Sequence, residues 1–223
     1  MLTNQSHNDR IAHAVTLQRE SIIGFLRELI AQTQHGEAAV QNVIAVASAK
    51  MGCKVERVKY DPQTVPMVQE FAAEQAITQG LRECVVAKTG TAGAGRSLLF
   101  FGHPDSEPLS RLAEWKHDPF KGEISQERIY GWGVADDLAG VAIYTQAMAV
   151  LKACGLQPKG EVTLVSTPSK RHARGVSALL HQGLTADAAI YLHPAESGMG
   201  MKEIKAFASG QLEFRIRVQG AAP

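Results

Sequence analysis

Short apolar segments alternate with segments of helical spacing through the second half of the chain. Residues 161–167 and 186–193 are apolar enough for buried strands, whereas residues 137–154 and 173–183 place their apolar side chains on one helical face. Parallel strands need a long connection between them, and that connection is usually a helix. The order therefore predicts an α/β fold with a mixed, mostly parallel sheet flanked by helices.

The first half and the tail add further elements to this prediction. Apolar spacing predicts helices over 10–33 and 37–51, and alternation predicts a strand over 53–60. Residues 104–129 are polar and contain prolines, so we expect a long loop there. The tail, residues 204–220, resembles a further pair of strands.

A glycine-rich stretch separates two apolar runs near the middle of the chain. ECVVAK at 83–88 and SLLFFG at 97–102 lie on either side of it, and we interpret the three together as a β-hairpin. Residues 90–97, GTAGAGRS, also match a phosphate-binding loop with arginine in place of lysine. A phosphate loop needs a helix after it. The residues that follow resemble a strand, so a turn is the better interpretation than a nucleotide site.

Charge and cysteine content exclude several classes of protein. The 23 basic and 22 acidic residues give a net charge of +1, which does not suit a nucleic-acid binder. The N-terminus lacks the pattern of a signal peptide, and we expect no apolar run near the roughly 20 residues of a membrane span. Three cysteines without CxxC spacing indicate a reducing compartment. We therefore expect a cytoplasmic protein with no nucleic-acid or membrane partner.

Polar side chains lie at the ends of three predicted elements. His103 and Asp105 follow the run SLLFFG, in the motif GHPD. Asp136 lies in the motif GWGVADD at the start of the next helix, and His193 closes the strand predicted over 186–193. Taken singly, each histidine is more often a hydrogen-bonding residue than a ligand, and each aspartate is more often a helix cap. Together they fall at one edge of an α/β sheet, where ligands bind. Two imidazoles and a carboxylate form a common zinc set.

The order of the motifs GHPD at 102–105, WKHDPF at 115–120 and YGWGVADD at 130–137 resembles that of the M20 metallopeptidases. This family includes acetylornithine deacetylase, succinyl-diaminopimelate desuccinylase, aminoacylase and glutamate carboxypeptidase. Its pattern is G-H-x-D, then W-x-x-D-P-F, then Y-G-R-G-x-x-D-D/M-K-G. The resemblance runs from Leu98 to Gly220 and implies a zinc-peptidase catalytic domain that hydrolyses amide bonds in N-acyl amino acids or short peptides.

The resemblance also implies roles for individual residues. His103 would bind one zinc ion, Asp136 would bridge two, and Asp105 would orient His103. The peptide bond between Asp136 and Asp137 would be cis. His193 stands where the family has a glutamate or aspartate ligand before proline, and an imidazole can still bind zinc there.

The chain departs from the family where a Glu-Glu pair supplies the general base and a metal ligand. It reads PSKRHARG from residue 168, with Lys170 at the position of the base and Arg171 at that of the ligand. Arginine cannot coordinate a cation, and an ammonium group beside zinc would be repelled. His172 lies next to these positions, but nothing in the sequence assigns it the role of the base. We therefore identify no general base and expect one zinc site, with the second site lost.

The family continues beyond the segment that this chain covers. Val218–Gln219–Gly220 lies near the point where family members insert a lid and dimerisation domain. We therefore expect residues 1–223 to form a partial catalytic domain without the lid domain, and without dimerisation through it. The residues that read the substrate would lie largely outside the chain.

Two functions remain open from the sequence. The first is a zinc-dependent hydrolase whose partner is a small N-acyl amino acid or peptide substrate. The alternative is a catalytically inactive M20-like remnant that binds one metal ion or a protein partner, which Lys170 and Arg171 favour.

Overall fold

The computed structural model describes residues 6–68, 80–168, 170, 173–193 and 217–220. A five-stranded sheet lies at the centre of the fold, and a separate two-stranded hairpin lies beside it. The strands of the central sheet are β1 (Lys54–Tyr60), β2 (Arg82–Thr89), β3 (Leu98–Gly102), β6 (Val162–Ser166) and β7 (Ala188–Tyr191). The hairpin consists of β4 (Glu123–Ser125) and β5 (Arg128–Tyr130).

The order of strands across the central sheet is β1-β2-β6-β3-β7. Strand β2 pairs antiparallel with both β1 and β6, and β3 pairs parallel with both β6 and β7. Strands β1, β3, β6 and β7 therefore run in one direction, and β2 runs against them. The predicted α/β fold with a mixed, mostly parallel sheet is confirmed.

The predicted hairpin between 83–88 and 97–102 is wrong, because β6 lies between β2 and β3. All five residues of β6 are buried, so its two faces both need cover and it takes the centre of the sheet. The glycine-rich stretch crosses the start of β6. A Cβ added at Gly90 would lie 2.2 Å from the carbonyl oxygen of Gly160. The stretch leads into a strand, as expected for a turn and not for a phosphate loop.

Five helices cover the sheet within the described part of the chain. They are α1 (His7–Leu17), α2 (Arg19–Gln32), α3 (Glu37–Lys50), α4 (Ala139–Ala153) and α5 (Arg174–His181). The single helix predicted over 10–33 is two helices, because Gln18 leaves helical geometry with φ −95° and ψ 6°. Residues of α2, α3 and α4 form the core on one face of the sheet, and α5 packs on the other. The fold is thus three layers.

Helix α4 is the most apolar element of the core. The segment Val134–Ala153 is long and apolar enough to cross a membrane, contrary to the expectation from the sequence, and half of it is buried inside the protein. Val141 and Tyr144 are almost completely buried against the sheet. Burial of this kind accounts for the composition of a core helix.

Two predicted regions differ from the expectation or lie outside the described residues. The loop predicted over 104–129 contains strand β4 and a short 3₁₀ turn at Leu112–Glu114. The strand pair predicted over 204–220 falls mainly on 204–216, which lie outside the described residues.

Candidate metal centre

The three residues predicted as metal ligands lie together at one end of the sheet. His103 follows β3 and His193 follows β7, and Asp136 lies in a kink before α4, where its φ of −132° and ψ of 87° are not helical. Because β3 and β7 are parallel neighbours, their carboxyl ends meet at the same edge. The Nε2 atoms of His103 and His193 each lie 2.9 Å from Asp136 Oδ1. One ligand atom from each residue lies within 4.8 Å of the other two.

The orientation of the His103 ring is set by a backbone group. Nδ1 of His103 lies 2.8 Å from the carbonyl oxygen of Asp105, whereas the nearer carboxylate oxygen of Asp105 lies 3.8 Å away. A carbonyl oxygen only accepts, so Nδ1 carries a proton and Nε2 is the ring nitrogen that remains to bind a metal ion. The backbone carbonyl of Asp105 therefore holds the ring of His103, whereas the carboxylate of Asp105 lies farther from the ring.

Asp136 lies between the two imidazoles and a lysine. Lys170 Nζ donates a hydrogen bond to Asp136 Oδ2, and Oδ1 faces the histidines. Burial raises the pKa of Asp136, but the Lys170 hydrogen bond and the neighbouring positive charges outweigh it and hold that pKa below its ordinary value. The carboxylate is therefore ionised and divides its two oxygens between different partners.

Asp137 holds the backbone of one candidate ligand, His103. The peptide bond between Asp136 and Asp137 is cis, as predicted. Asp137 is completely buried, and its Oδ2 accepts the backbone N–H of His103 at 3.2 Å. Burial, together with the charge of Asp136, raises the pKa of Asp137 to about 8. Asp137 therefore fixes the backbone at the end of β3 and does not face the ligand atoms as Asp136 does.

A partly buried ion-pair network holds the carboxylate of Asp105. Its Oδ2 accepts the backbone N–H of Lys170 at 3.1 Å and lies 3.4 Å from Arg82 Nη2. Arg82 also pairs with Glu37, the first residue of α3, through Nη2 and through Nε at 3.3 Å from Oε1. The network joins the start of β2 and the start of α3 to the loop that carries His103.

The region of the missing Glu-Glu pair is only partly described. Lys170, predicted at the position of the general base, points its ammonium group into the centre. Arg171 and His172 lie outside the described residues. Arg82 and Glu37 could not be predicted from the sequence, because they are 45 positions apart and no local motif joins them. For Asp137 the only signal was its place beside Asp136.

The donor set of this centre fits a zinc ion. Asp136 Oδ1 is buried and has no hydrogen-bond partner among the described residues, although both imidazole nitrogens lie close to it. Two imidazole nitrogens and a carboxylate oxygen that lie this close together are suited to a shared cation. Two imidazoles and one carboxylate leave a fourth tetrahedral position for water or substrate.

Comparisons with known proteins find related sequences. The family described as Peptidase family M20/M25/M40 matches residues 99–223. A succinyl-diaminopimelate desuccinylase from Alkalilimnicola ehrlichii is 29% identical over 134 residues, covering 56% of this chain and 35% of that protein. N-formyl-4-amino-5-aminomethyl-2-methylpyrimidine deformylase from Halalkalibacterium halodurans is 27% identical over 186 residues, covering 81% of this chain and 40% of that protein. The chain therefore spans about two fifths or less of these relatives.

Solved structures share the fold. Human carnosine dipeptidase 1 superposes with a TM-score of 0.68 at 15% identity, over 83% of this chain and 41% of that one. The M20 family metallo-carboxypeptidase Sso-CP2 from Sulfolobus solfataricus gives a TM-score of 0.56 at 21% identity, over 80% of this chain and 37% of that one. At these identities the likeness establishes the architecture of the sheet and its helices.

Proposed function

The chain belongs to Peptidase family M20/M25/M40, and we propose that its metal centre binds one zinc ion and serves the hydrolysis of an amide bond. The observation that supports the proposal is the convergence of His103, Asp136 and His193 within 4.8 Å. The substrate we propose is a small N-acyl amino acid or peptide, by analogy with relatives named as a desuccinylase and a deformylase.

The residues of the centre prepare it for this chemistry. Asp105 keeps the proton on Nδ1 of His103, so that Nε2 is available as a ligand. Lys170 engages Oδ2 of Asp136 and leaves Oδ1 directed at the two imidazoles. When bound, zinc would polarise the substrate carbonyl and lower the pKa of a bound water molecule.

A second candidate function rests on Lys170. Its ammonium group lies at the centre, where the resemblance puts a glutamate that takes up a proton. An ammonium group is a donor without an acceptor, so it cannot begin the reaction as a base. A protein that binds one metal ion without hydrolysing amides is the alternative that this contact favours.

The proposed zinc site predicts one zinc ion per chain, measured on the purified protein after dialysis. His103→Ala should abolish binding, because it removes the ligand that is most buried. His117→Ala is the matched control, since His117 stacks on Tyr130 with ring centroids 3.9 Å apart and pairs with Glu123. Equal zinc content in wild type and His103→Ala would contradict the proposed site.

Hydrolysis separates the two candidate functions. The wild-type protein with zinc is assayed on N-succinyl amino acids and on dipeptides, with and without a chelator. Chelator-sensitive hydrolysis supports the enzyme. Zinc binding without hydrolysis, followed by a gain of activity in Lys170→Glu combined with Arg171→Glu, supports the inactive alternative.

A further inference from the structure

A half-buried arginine outside the metal centre is linked to it through Asp105. Arg82 begins β2, where it pairs across the sheet with Tyr60 of β1. Its side chain is 14% exposed and contacts two carboxylates, those of Glu37 and Asp105. No motif of the family resemblance includes Arg82.

We propose that Arg82 is a positioning residue that sets the geometry of the metal ligand His103 by anchoring Asp105. The inference rests on the proposed zinc site. Its chain of contacts runs from Glu37 through Arg82 to the carboxylate of Asp105, and from the backbone carbonyl of Asp105 to His103 Nδ1. Helix α3 and strand β2 are regular elements, so they supply a rigid base for this chain.

Arg82 places one positive charge beside the carboxylates of Glu37 and Asp105. The side chain of Asp105 is 14% exposed, and a carboxylate so shielded from water is stabilised by a nearby cation and by hydrogen-bond donors. Removing Arg82 would take away the guanidinium group that contacts both Glu37 and Asp105. Asp105 would then turn toward solvent, and its backbone carbonyl would leave Nδ1 of His103.

The geometry also explains why arginine stands here. Arg82 presents Nε and Nη2 to Glu37 while Nη2 also faces Asp105. Only a planar guanidinium group can hold two carboxylates from fixed directions in this way. Lysine would keep the charge but contact one partner at a time.

The test compares zinc affinity and stability in matched variants. Arg82→Gln should bind zinc about tenfold more weakly than wild type, the lower end of the effect of residues that orient metal ligands. Arg82→Lys should fall between them, at about threefold. Arg57→Gln is the control, because Arg57 forms an ion pair with Glu83 at 2.6 Å on the neighbouring strand. It should lower the melting temperature without changing the zinc dissociation constant.

A second readout does not depend on zinc. Long-range ¹H–¹⁵N correlation spectra of the metal-free protein should show His103 protonated at Nδ1 in wild type and in Arg57→Gln, and a mixture of tautomers in Arg82→Gln. A folded Arg82→Gln with wild-type affinity and an unchanged tautomer would overturn the inference. If Arg82→Gln does not fold, wild-type values for Arg82→Lys overturn it. Absence of zinc binding in wild type would overturn the proposed function instead, and the tautomer would still decide the role of Arg82.

Discussion

At the scale of single residues, the sequence shows which residues are candidate ligands, but it does not show what holds them in place. His103 and His193 each follow an apolar strand and Asp136 precedes an apolar helix, so their meeting at one sheet edge could be predicted. The ring orientation of His103 depends on a backbone carbonyl, and a carbonyl leaves no trace in the sequence. The support from Arg82 depends on contacts between distant segments, which the fold alone brings together.

Burial makes the three cysteines chemically unequal. Cys84 is completely buried in β2, and burial raises the pKa of its thiol to about 12. Cys53 and Cys154 are free and partly exposed, and burial also raises the pKa of Cys53. Because alkylating reagents need access to the thiolate, iodoacetamide at pH 8 should modify the partly exposed Cys53 and Cys154 first, and Cys84 only after denaturation. Mass spectrometry of the digested protein measures each site.

Denatured protein provides the control, since all three thiols should react there at similar rates.

The raised pKa of Cys84 also predicts how the stability of the protein depends on pH. The folded thiol stays neutral while the unfolded one ionises above its ordinary value near 9, so stability falls between about pH 9 and pH 12. Native labelling of Cys84 as fast as Cys53 would show that β2 is not buried as described.

At the scale of elements, helix α4 and the end of β7 approach each other through a glycine. A Cβ added at Gly140 would lie 1.9 Å from the carbonyl oxygen of Leu192 and 2.3 Å from Asp137 Oδ1. Leu192 precedes His193, and Asp137 supports His103. The absence of a side chain at Gly140 therefore lets two parts of the metal centre meet.

Substitution of this glycine should disturb both stability and metal binding. Gly140→Ala should destabilise the protein by about 1–3 kcal/mol, the usual effect of overpacking, and should weaken zinc binding by displacing His193. Gly24→Ala is the matched control in α2, where nothing lies within 4 Å of an added Cβ. That change should stabilise the protein by about 0.5–1 kcal/mol and leave zinc binding unchanged. Urea denaturation and zinc titration give both values, and a stabilising Gly140→Ala would contradict the close approach.

The elements show where prediction from sequence succeeds and where it fails. Strands at 54–60 and 162–166 and the helix at 37–50 follow from local alternation or spacing, which each segment carries by itself. The pairing of β2 with β3 was predicted from their nearness in sequence, and it is wrong because β6 competes for the same ladder. Hydrogen-bond partners in a sheet depend on the whole chain, so local patterns could not identify them.

At the scale of the whole molecule, the sheet divides the core into two clusters. Alternate residues of β2 point to opposite faces, with Val85 and Ala87 beside α3 and α4, and Cys84 and Val86 beside α5. Strand β6 lies at the centre with both neighbours paired, whereas β1 and β7 are the outermost of the described strands. All four residues of β7 are exposed.

This arrangement predicts a gradient of local stability across the sheet. Amide hydrogens of β6 should exchange most slowly, at rates close to those of global unfolding, because β6 is buried on both faces and paired on both sides. Amides of the exposed edge strand β7 should exchange much faster. Hydrogen exchange followed by NMR or mass spectrometry measures the difference. Protection in β7 equal to that in β6 would mean that the edge is covered in solution.

The strand order also bears on the timing of biosynthesis. Strands β2 and β3 leave the ribosome early, but the strand that joins them ends about 60 residues after β3. At 5–20 residues per second, translation takes roughly 3–12 s to supply it. During that interval two apolar strands present unpaired edges, which is the state that chaperones bind. Strands β2 and β3 can therefore join one sheet only after synthesis has passed through β6, although both are made well before it.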